Sequence, residues 1–308
     1  MDQTIKKNNL PASHRFSYQA MATLFEIMIE NDDRNYAEQA AWEAFRQLDH
    51  LEQALSRFIK NSDINRINGL RANESLIIGP ETFECLRQCS ALYQQTAGAF
   101  DITIGVLMRC WLNPDKTLRQ PSPAEINRAR QLTGMTHLQL DATSNTVKLL
   151  TEAIDLDLGG FGKGYAVDKM AELLLEWDLD TFLIHGGTSS VLAQGAPATQ
   201  NGWPLSISHP ENLEQTLEYI HLRNRALSGS GLQKGQHILN PRTGYPLTRN
   251  RTTWAFAPTA AVSDALSTAF MIMELDEIED YCARHAAVQA IVLESKAGTE
   301  QILHFGFN

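Results

Sequence analysis

The sequence predicts an α+β fold with mostly antiparallel strands and packed helices. Its strand signals are paired locally and interspersed with helices, unlike the regular alternation of a doubly wound sheet. Of the 308 residues, 43% are hydrophobic and 20% are charged, which is typical of a globular protein with an ample core. We expect a flexible N-terminal segment over 1–15 and a single domain over 16–308, built as two intimately packed halves.

The first elements are predicted from hydrophobic spacing. Residues 17–30 predict a strand, because Phe25, Ile27 and Ile29 alternate against Glu26 and Glu30. A helix is predicted over 35–57, where the apolar residues recur every three or four positions: Ala41, Phe45, Leu48, Leu51 and Leu55.

The next elements are predicted from start and stop signals. Proline opens a second helix over 80–98, which stops near a glycine, and the proline-rich stretch 112–123 is a loop. Ser122-Pro-Ala-Glu125 has the form of a capping box, so a short helix should run to about Thr133. Residues 137–150 predict a hairpin in which apolar residues face each other: Leu138 and Leu140 opposite Val147 and Leu149.

The C-terminal half gives similar signals. A buried strand over 181–185 leads to Gly186-Gly187, and Pro258 ends a strand over 252–257. The remaining predictions are short strands over 204–208 and 217–223, helices over 163–177, 261–274 and 276–285, and a closing hairpin of 288–293 with 301–305.

Charge and apolar runs restrict partners and location. The net charge of -10 and the lack of a basic run argue against a nucleic-acid partner. Residues 1–10 contain no secretory signal, and no apolar run of about 18 residues occurs, so we expect a cytoplasmic protein without a membrane span. The cysteines are expected to be buried free thiols rather than metal ligands: Cys85, Cys89, Cys110 and Cys282.

The most informative motif is Asp157-Leu-Gly-Gly-Phe-Gly-Lys-Gly164, between an apolar strand and a helix. Such a turn lets backbone amides approach a phosphate while a lysine neutralises its charge. It is not a Walker loop, because Gly164 and not a serine or threonine follows Lys163, and its glycine spacing does not fit the dinucleotide fingerprint. The alternative is a tight connection whose glycines permit close packing. In this acidic chain, a phosphate ligand would be helped by a divalent cation.

Five other residues are candidates for chemistry. On a helix, Asp264 and Thr268 share one face and could offer hard oxygens to magnesium, or they could be ordinary polar residues near a helix cap. His237, beside the turn Asn240-Pro-Arg-Thr-Gly244, could be a general base or a structural histidine. Asp101 could accept hydrogen bonds from a ligand or from neighbouring amides. His185 we expect to be structural or to line the substrate site.

Eight segments in order resemble the ApbE family of FAD:protein FMN transferases, from Met21 to about Thr268. They are Met21-Ala-Thr23, Ser56-Arg-Phe58 with Ser62-Asp-Ile64, Ala99-Phe-Asp101, Asp157 to Gly164, Gly186-Gly187, Ser228-Gly229, His237 to Gly244, and Ala257-Pro-Thr to Thr268. No one of these motifs is decisive; their common order carries the resemblance.

The resemblance implies a T-fold-like architecture with FAD bound between two halves. It also implies magnesium-dependent transfer of FMN from FAD to a threonine hydroxyl of an acceptor protein, with release of AMP. His237 would be the base that deprotonates the threonine. The magnesium ligands would be the carbonyl of Gly160, Asp264, Thr268 and the carbonyl of Ser267. The FAD site would be lined by Met21, Phe58, Ala99, Phe100, Asp101, Asp157, Lys163 and Leu239.

The chain departs from the family pattern at several positions. Ala22 replaces a usual glycine, and Phe58 stands where tyrosine is frequent. Thr188 and Asn240 each replace a usual aspartate on the side expected to meet the flavin ring and the acceptor, and Ser230-Gly231-Leu232 lacks an acidic or aromatic residue. Two alternative functions therefore stay open, an FAD pyrophosphate hydrolase and a non-catalytic FAD-binding or carrier protein. Many family members are lipid-anchored, but no lipobox cysteine lies near Met1, which favours a cytoplasmic form.

Overall fold

A computed structural model describes residues 12–113, 117–232, 238–296 and 299–307, except the side chain of Lys296. The strands are β1 (Ser13–Ala20), β2 (Thr23–Glu30), β3 (Ser75–Ile77), β4 (Leu138–Asp141), β5 (Thr146–Leu149), β6 (Phe182–Gly186), β7 (Ser190–Gln194), β8 (Trp203–His209), β9 (Asn212–Leu222), β10 (Arg225–Ser230), β11 (Arg251–Ala257), β12 (Gln289–Lys296) and β13 (Thr299–Phe305). The α-helices are α1 (Arg34–Leu55), α2 (Asp63–Asn68), α3 (Pro80–Gln95), α4 (Gly105–Trp111), α5 (Pro123–Gln131), α6 (Gly162–Glu176), α7 (Ala260–Ile272) and α8 (Leu275–Arg284).

The described strands form three sheets, and every strand pairing in them is antiparallel. The largest has the order β1-β2-β6-β7-β10-β11-β12-β13, and the smaller ones have the orders β3-β5-β4 and β8-β9. The predicted α+β class with mostly antiparallel sheets and packed helices is confirmed.

Each face of the large sheet packs against other elements through an apolar cluster. Helices α1, α6 and α7 cover one face and form the main core with inward residues such as Ile27, Ile184 and Ala255. On the other face lies the β8–β9 hairpin, which we call the arm. A smaller apolar cluster attaches the arm to the sheet: Leu183, Val191, Ala193, Trp203, Ile207, Leu222, Leu227, Phe256 and Ile291.

Helices α6 and α7 approach each other closely at Gly164. A Cβ atom at this position would lie 2.2 Å from the carbonyl oxygen of Ala260, so only glycine fits without moving the backbone. One turn later, the Asp168 carboxylate accepts hydrogen bonds from the amides of Ala260 and Ala261, at 2.6 and 2.8 Å. The α6 carboxylate thus binds free N–H groups at the start of α7 and sets the relative position of the two helices.

Several local predictions are confirmed. The capping box joins Ser122 and Glu125 at the start of α5. In the β4–β5 hairpin, Leu138 is opposite Leu149, and Leu140 is opposite Val147. Cys85, Cys89 and Cys282 are buried free thiols, whereas Cys110 is half-buried. Within the described residues, no helix is long and apolar enough to cross a membrane.

The single strand predicted over 17–30 is wrong, because the chain turns at Met21 and Ala22 and forms the β1–β2 hairpin. Both residues have positive φ, 48° and 57°. A two-residue hairpin turn of this kind normally contains asparagine or glycine, and neither occurs here. The same hairpin begins at Ser13, inside the segment 1–15, of which 1–11 lie outside the described residues.

Five further elements were not predicted: α2, α4, β3, β7 and β10. Strand β10 consists of Arg-Ala-Leu-Ser-Gly-Ser, which lacks a sustained hydrophobic alternation. It is buried between β7 and β11, so tertiary pairing and not local pattern makes it a strand.

Candidate functional site

A cavity of about 860 Å³ lies where the ends of the strands of the large sheet meet helices α6 and α7 and the arm. Its volume is in the range of small-molecule sites, about 300–1,000 Å³. The predicted site residues on its wall come from four stretches that are distant in sequence. They are Ala99, Phe100, Asp101, Asp157, Gly160, Lys163, Leu239, Asp264 and Thr268.

A group of oxygen atoms lies between the glycine turn and α7. The Thr268 hydroxyl is so close to Gly160 that a Cβ atom there would be 2.9 Å from it. The Ser230 hydroxyl lies 3.3 Å from that of Thr268 and 2.8 Å from that of Ser267. The absence of a side chain at Gly160 therefore lets the turn contact α7. This close packing is the alternative to phosphate binding that the sequence offered for the glycines of the turn.

Asp264 is the buried carboxylate of this group, with 3% of its surface exposed. One of its oxygens, Oδ2, accepts a hydrogen bond from the amide of Gly164 at 3.2 Å and lies 3.4 Å from the Lys163 ammonium. Lys163 also donates to the carbonyl of Gly159 at 3.1 Å. Among the described residues, the other oxygen of Asp264 forms no hydrogen bond.

The donor set on this wall suits a hard cation such as magnesium. No group of three or more His, Cys, Asp or Glu residues is arranged to hold a metal within the described parts of the chain. A cation here would depend on the Asp264 carboxylate, the Thr268 hydroxyl and the Gly160 carbonyl, completed by water and phosphate oxygens, as is usual for magnesium.

Ser267, the remaining predicted ligand, does not line the cavity. It is fully buried, and its carbonyl oxygen accepts a hydrogen bond from the Thr253 hydroxyl at 2.6 Å. Its side chain donates to the carbonyl of Asp264 at 2.8 Å. The Ser267 carbonyl therefore connects α7 to strand β11. A role of this carbonyl in metal binding stays a prediction.

Arg57 was not predicted as a site residue, although it lies inside the Ser56-Arg-Phe58 segment that resembles the family pattern. Its guanidinium bridges two carboxylates, with contacts of 2.8 Å to Asp155 and 2.7 Å to Asp157. Asp155 is 2% exposed and also pairs with Arg109. Two arginines thus neutralise the start of the glycine turn and fix the Asp157 carboxylate at the cavity wall.

Asp101 is buried on the same wall, with 7% of its surface exposed. Its Oδ1 accepts hydrogen bonds from the amide and the hydroxyl of Thr103, at 2.8 and 2.6 Å. Burial raises the pKa of this carboxyl to about 6, against the lowering effect of those hydrogen bonds. The expected hydrogen bonds from neighbouring groups are therefore present at Oδ1, and Oδ2 forms no hydrogen bond within the described residues.

Comparison with known proteins shows what this arrangement belongs to. Residues 21–292 match the ApbE family. The chain belongs to the ApbE family. The FAD:protein FMN transferase of Salmonella typhimurium is 25% identical over 303 residues, 94% of this chain and 86% of that protein. That of Buchnera aphidicola is 30% identical over 244 residues, 74% of this chain and 71% of that protein.

Solved structures of ApbE proteins share the fold. Flavin transferase ApbE from Vibrio cholerae has a TM-score of 0.83 at 21% identity, covering 96% of this chain and 97% of that one. The ApbE protein from Thermotoga maritima has a TM-score of 0.84 at 24% identity, covering 96% and 97%. The ApbE architecture expected from the resemblance is therefore confirmed.

Of three residues that the ApbE resemblance assigns to the site, two lie away from the cavity and the third is outside the described residues. Met21 is half-buried in the β1–β2 turn and packs against the main core. Phe58 is 86% exposed, with the Arg57 guanidinium 5.6 Å from its ring centroid. Neither borders the cavity, and His237 lies outside the described residues. Their roles in this ApbE protein remain predictions.

His185 and Ser230 complete the ApbE cavity from the sheet side. Burial lowers the pKa of His185, so its imidazole is neutral at pH 7 and can donate or accept a hydrogen bond. Ser230 was not predicted as a site residue, although it directly follows the matching segment Ser228-Gly229. The sequence marked it only as part of Ser230-Gly231-Leu232, which lacks the usual acidic or aromatic residue of the family.

Proposed function

We propose that this chain is an FAD:protein FMN transferase that joins FMN to a threonine hydroxyl of an acceptor protein and releases AMP. The observation that carries the proposal is the meeting of Lys163, Asp264, Thr268 and Gly160 on one wall of a cavity large enough for a nucleotide. The names of the Salmonella and Buchnera relatives support it.

The reaction exchanges a phosphoanhydride bond for a phosphoester bond. The threonine oxygen forms a bond to the FMN phosphorus, the pyrophosphate bond to AMP breaks, and the threonine proton passes to a base, for which His237 is our candidate. Bound by Asp264, Thr268 and the Gly160 carbonyl, Mg²⁺ would supply charge neutralisation at the pyrophosphate.

The protein's own groups position this exchange. The Lys163 ammonium, held by Gly159 and Asp264, places a positive charge beside the phosphates. The Arg57 bridge fixes Asp157, and the free oxygen of Asp101 can accept a hydrogen bond from the nucleoside part of FAD. Cavity residues such as Phe100 and Leu239 exclude water from the bound substrate.

One incubation tests the activity: the protein with FAD, MgCl₂ and threonine-bearing acceptor proteins, followed by AMP, free FMN and acceptor mass. A transferase adds one FMN to the acceptor for each AMP. Release of AMP and free FMN with an unchanged acceptor would indicate a pyrophosphate hydrolase. Binding of FAD without any cleavage would indicate a carrier. Either result would refute the proposal.

Two variants test the residues. Asp264→Asn keeps the side-chain shape but removes its charge, and we expect at least a hundredfold loss of AMP release. Asp280→Asn, at an exposed carboxylate paired with Arg284 on α8, is the matched control and should keep full activity. His237→Ala should lose FMN transfer while FAD binding is retained.

A cytoplasmic location stays a prediction, and cell fractionation would test it.

A further inference from the structure

Strand β8 of the arm borders the cavity with its edge. Four consecutive residues of β8 lie on the cavity wall: Leu205, Ser206, Ile207 and Ser208. Since successive side chains of a strand point to opposite faces, a run of four neighbours on one wall means that the backbone edge itself faces the cavity. From β9, in contrast, Leu213 near its start is the residue on the wall.

The register of the arm indicates which backbone groups face the cavity. Strands β8 and β9 pair without irregularity from Trp203, opposite Leu222, to Ile207, opposite Glu218. Pro204 lies inside this ladder, and because proline has no N–H it occupies positions that face away from the partner strand. The direction of the backbone groups alternates along an antiparallel strand, so Ser206 also turns its N–H and C=O away from β9.

This edge has no strand partner within the described residues. The arm is a two-stranded sheet, and no backbone hydrogen bond connects 204–208 to any described element other than β9. Free N–H and C=O groups on a strand edge are a template for another extended chain. Proteins usually protect such edges with charged side chains or proline. Pro204 protects the start of this edge, whereas the four following residues of β8, which lie on the wall, are uncharged.

We propose that the free edge of β8 binds the acceptor protein as an added strand, so that an extended acceptor segment carries its hydroxyl into the cavity. This inference rests on the proposed transferase function. A polypeptide is the occupant because only an extended backbone offers alternating donors and acceptors along its length. Lys163 and Asp264 line the same cavity, so a chain on β8 would enter the space that holds the groups proposed for phosphoryl exchange.

The side chains near the edge define the chemistry of that segment. Ser206 is exposed, Ser208 and Leu205 are partly exposed, and the wall here presents only short hydroxyls and aliphatic groups. Beside this edge, a charged acceptor side chain would lose water and find no ionic partner among the β8 residues 205–208. The fitting segment therefore has small, uncharged residues on both sides of the reactive threonine.

Substitution at Ser206 separates the backbone from the side chain. Ser206→Pro removes the outward N–H and places a ring on the edge, and proline is tolerated at edge positions that do not bond the partner strand. We expect kcat/KM for the acceptor to fall at least tenfold, with unchanged FAD affinity and unchanged Tm. Ser206→Ala keeps the N–H and should stay within about twofold of wild type. Equal acceptor kinetics for both variants would overturn the proposal.

A second experiment does not depend on the folding of a variant. Synthetic peptides with one threonine among Gly, Ala, Ser and Asn are incubated with the wild-type protein, FAD and MgCl₂, and the best substrate is then N-methylated at one amide at a time. Strand addition predicts that methylation blocks FMN transfer at alternate residues only. Equal loss at every position, or none, contradicts it. If neither peptides nor acceptor proteins gain FMN, the proposed transferase function itself is refuted, and with it the strand addition that depends on it.

Discussion

The floor and the arm of the cavity are built by different physical means. The floor consists of residues 99–105, residues 155–164 and helix α7. It is fixed by backbone contact at Gly164 and by ion pairs of the buried Asp155. The arm is attached by a small apolar cluster and by two histidine–glutamate pairs with β13, His209 with Glu300 and His304 with Glu218.

The difference agrees with the roles that we propose for the two regions. Groups that act on a phosphate must be held within a fraction of an ångström, so buried ion pairs and backbone contacts are appropriate for Asp264 and Lys163. A surface that receives another chain gains from a separate attachment that can adjust. Substitutions in the floor should therefore change global stability, whereas substitutions at the arm should change local opening.

The largest effect is expected for Gly164→Ala, which tests the backbone contact of the floor. The new methyl group would collide with the Ala260 carbonyl and force α6 and α7 apart, lowering the free energy of unfolding by about 3 kcal/mol. Gly162→Ala is the control, because its nearest atom, Leu158 Cβ, is 3.5 Å away, and it should change stability by less than about 1 kcal/mol. Similar urea midpoints for the two variants would contradict the contact.

Asp101→Asn should stabilise the protein at pH 7. The folded pKa of about 6 exceeds the ordinary 3.8, so the folded state binds this proton more tightly than the unfolded state. The stabilisation from protonated Asp101 is complete below pH 4 and is lost as the pH rises through 6. Asparagine keeps the acceptor for Thr103 without a charge, and the gain at pH 7 is up to about 3 kcal/mol.

Asp141→Asn is the matched control for Asp101. Asp141 makes the same contacts with Thr143, but it is exposed, and hydrogen bonds from Thr143 and Ser144 lower its pKa. Its variant should therefore gain no stability at pH 7. Unfolding free energies at pH 4 and pH 7 give both results, and a gain in both variants would remove burial as the cause.

Arg57→Gln tests the ion pairs of the floor. Asp155 would keep Arg109 but lose its buried bridge to Arg57, so we expect a loss of about 2 kcal/mol and weaker FAD binding through the released Asp157. Arg66→Gln, which removes a surface pair with Asp63, should cost less than about 0.5 kcal/mol. Denaturation and FAD titration of both variants decide whether burial makes the difference.

The smallest global effect is expected at the arm, for Glu300→Gln. His209 receives a hydrogen bond at Nδ1 from the amide of Glu211, so Nε2 carries the proton and faces Glu300 at 3.2 Å. Loss of this partly exposed pair should lower stability by less than about 1 kcal/mol. Amide hydrogen exchange should quicken in β8 and β9 and stay unchanged in α7. Faster exchange in α7 as well would show that arm and floor open together.

The sequence predicted those parts of the fold whose signals are local. The capping box at Ser122 and the facing leucines of β4 and β5 are each contained within about a dozen residues, and both were correct. The turn at Met21 and Ala22 was missed because nothing in these two side chains favours positive φ. Strand β10 depends on neighbours far away in the sequence, which no local pattern contains.

The candidate site shows the same limit. Asp157, Lys163, Asp264 and Thr268 were identified through motif order, and the cavity brings them together. Arg57 was not identified, because its importance comes from two carboxylates about a hundred residues away, Asp155 and Asp157. The edge of β8 could not be predicted either, since a free edge depends on which strands are absent beside it.

The order of the large sheet has a consequence for how the chain folds. Strand β2 pairs with β6, and Phe25 is opposite Gly186, so every element from α1 to α6 lies between the two partners in sequence. The β1–β2 hairpin must therefore remain without its neighbour until that whole stretch has left the ribosome. Such distant pairings slow folding and prolong the exposure of unpaired strands. During synthesis, the unpaired edge of β2 is therefore open to aggregation until β6 has emerged.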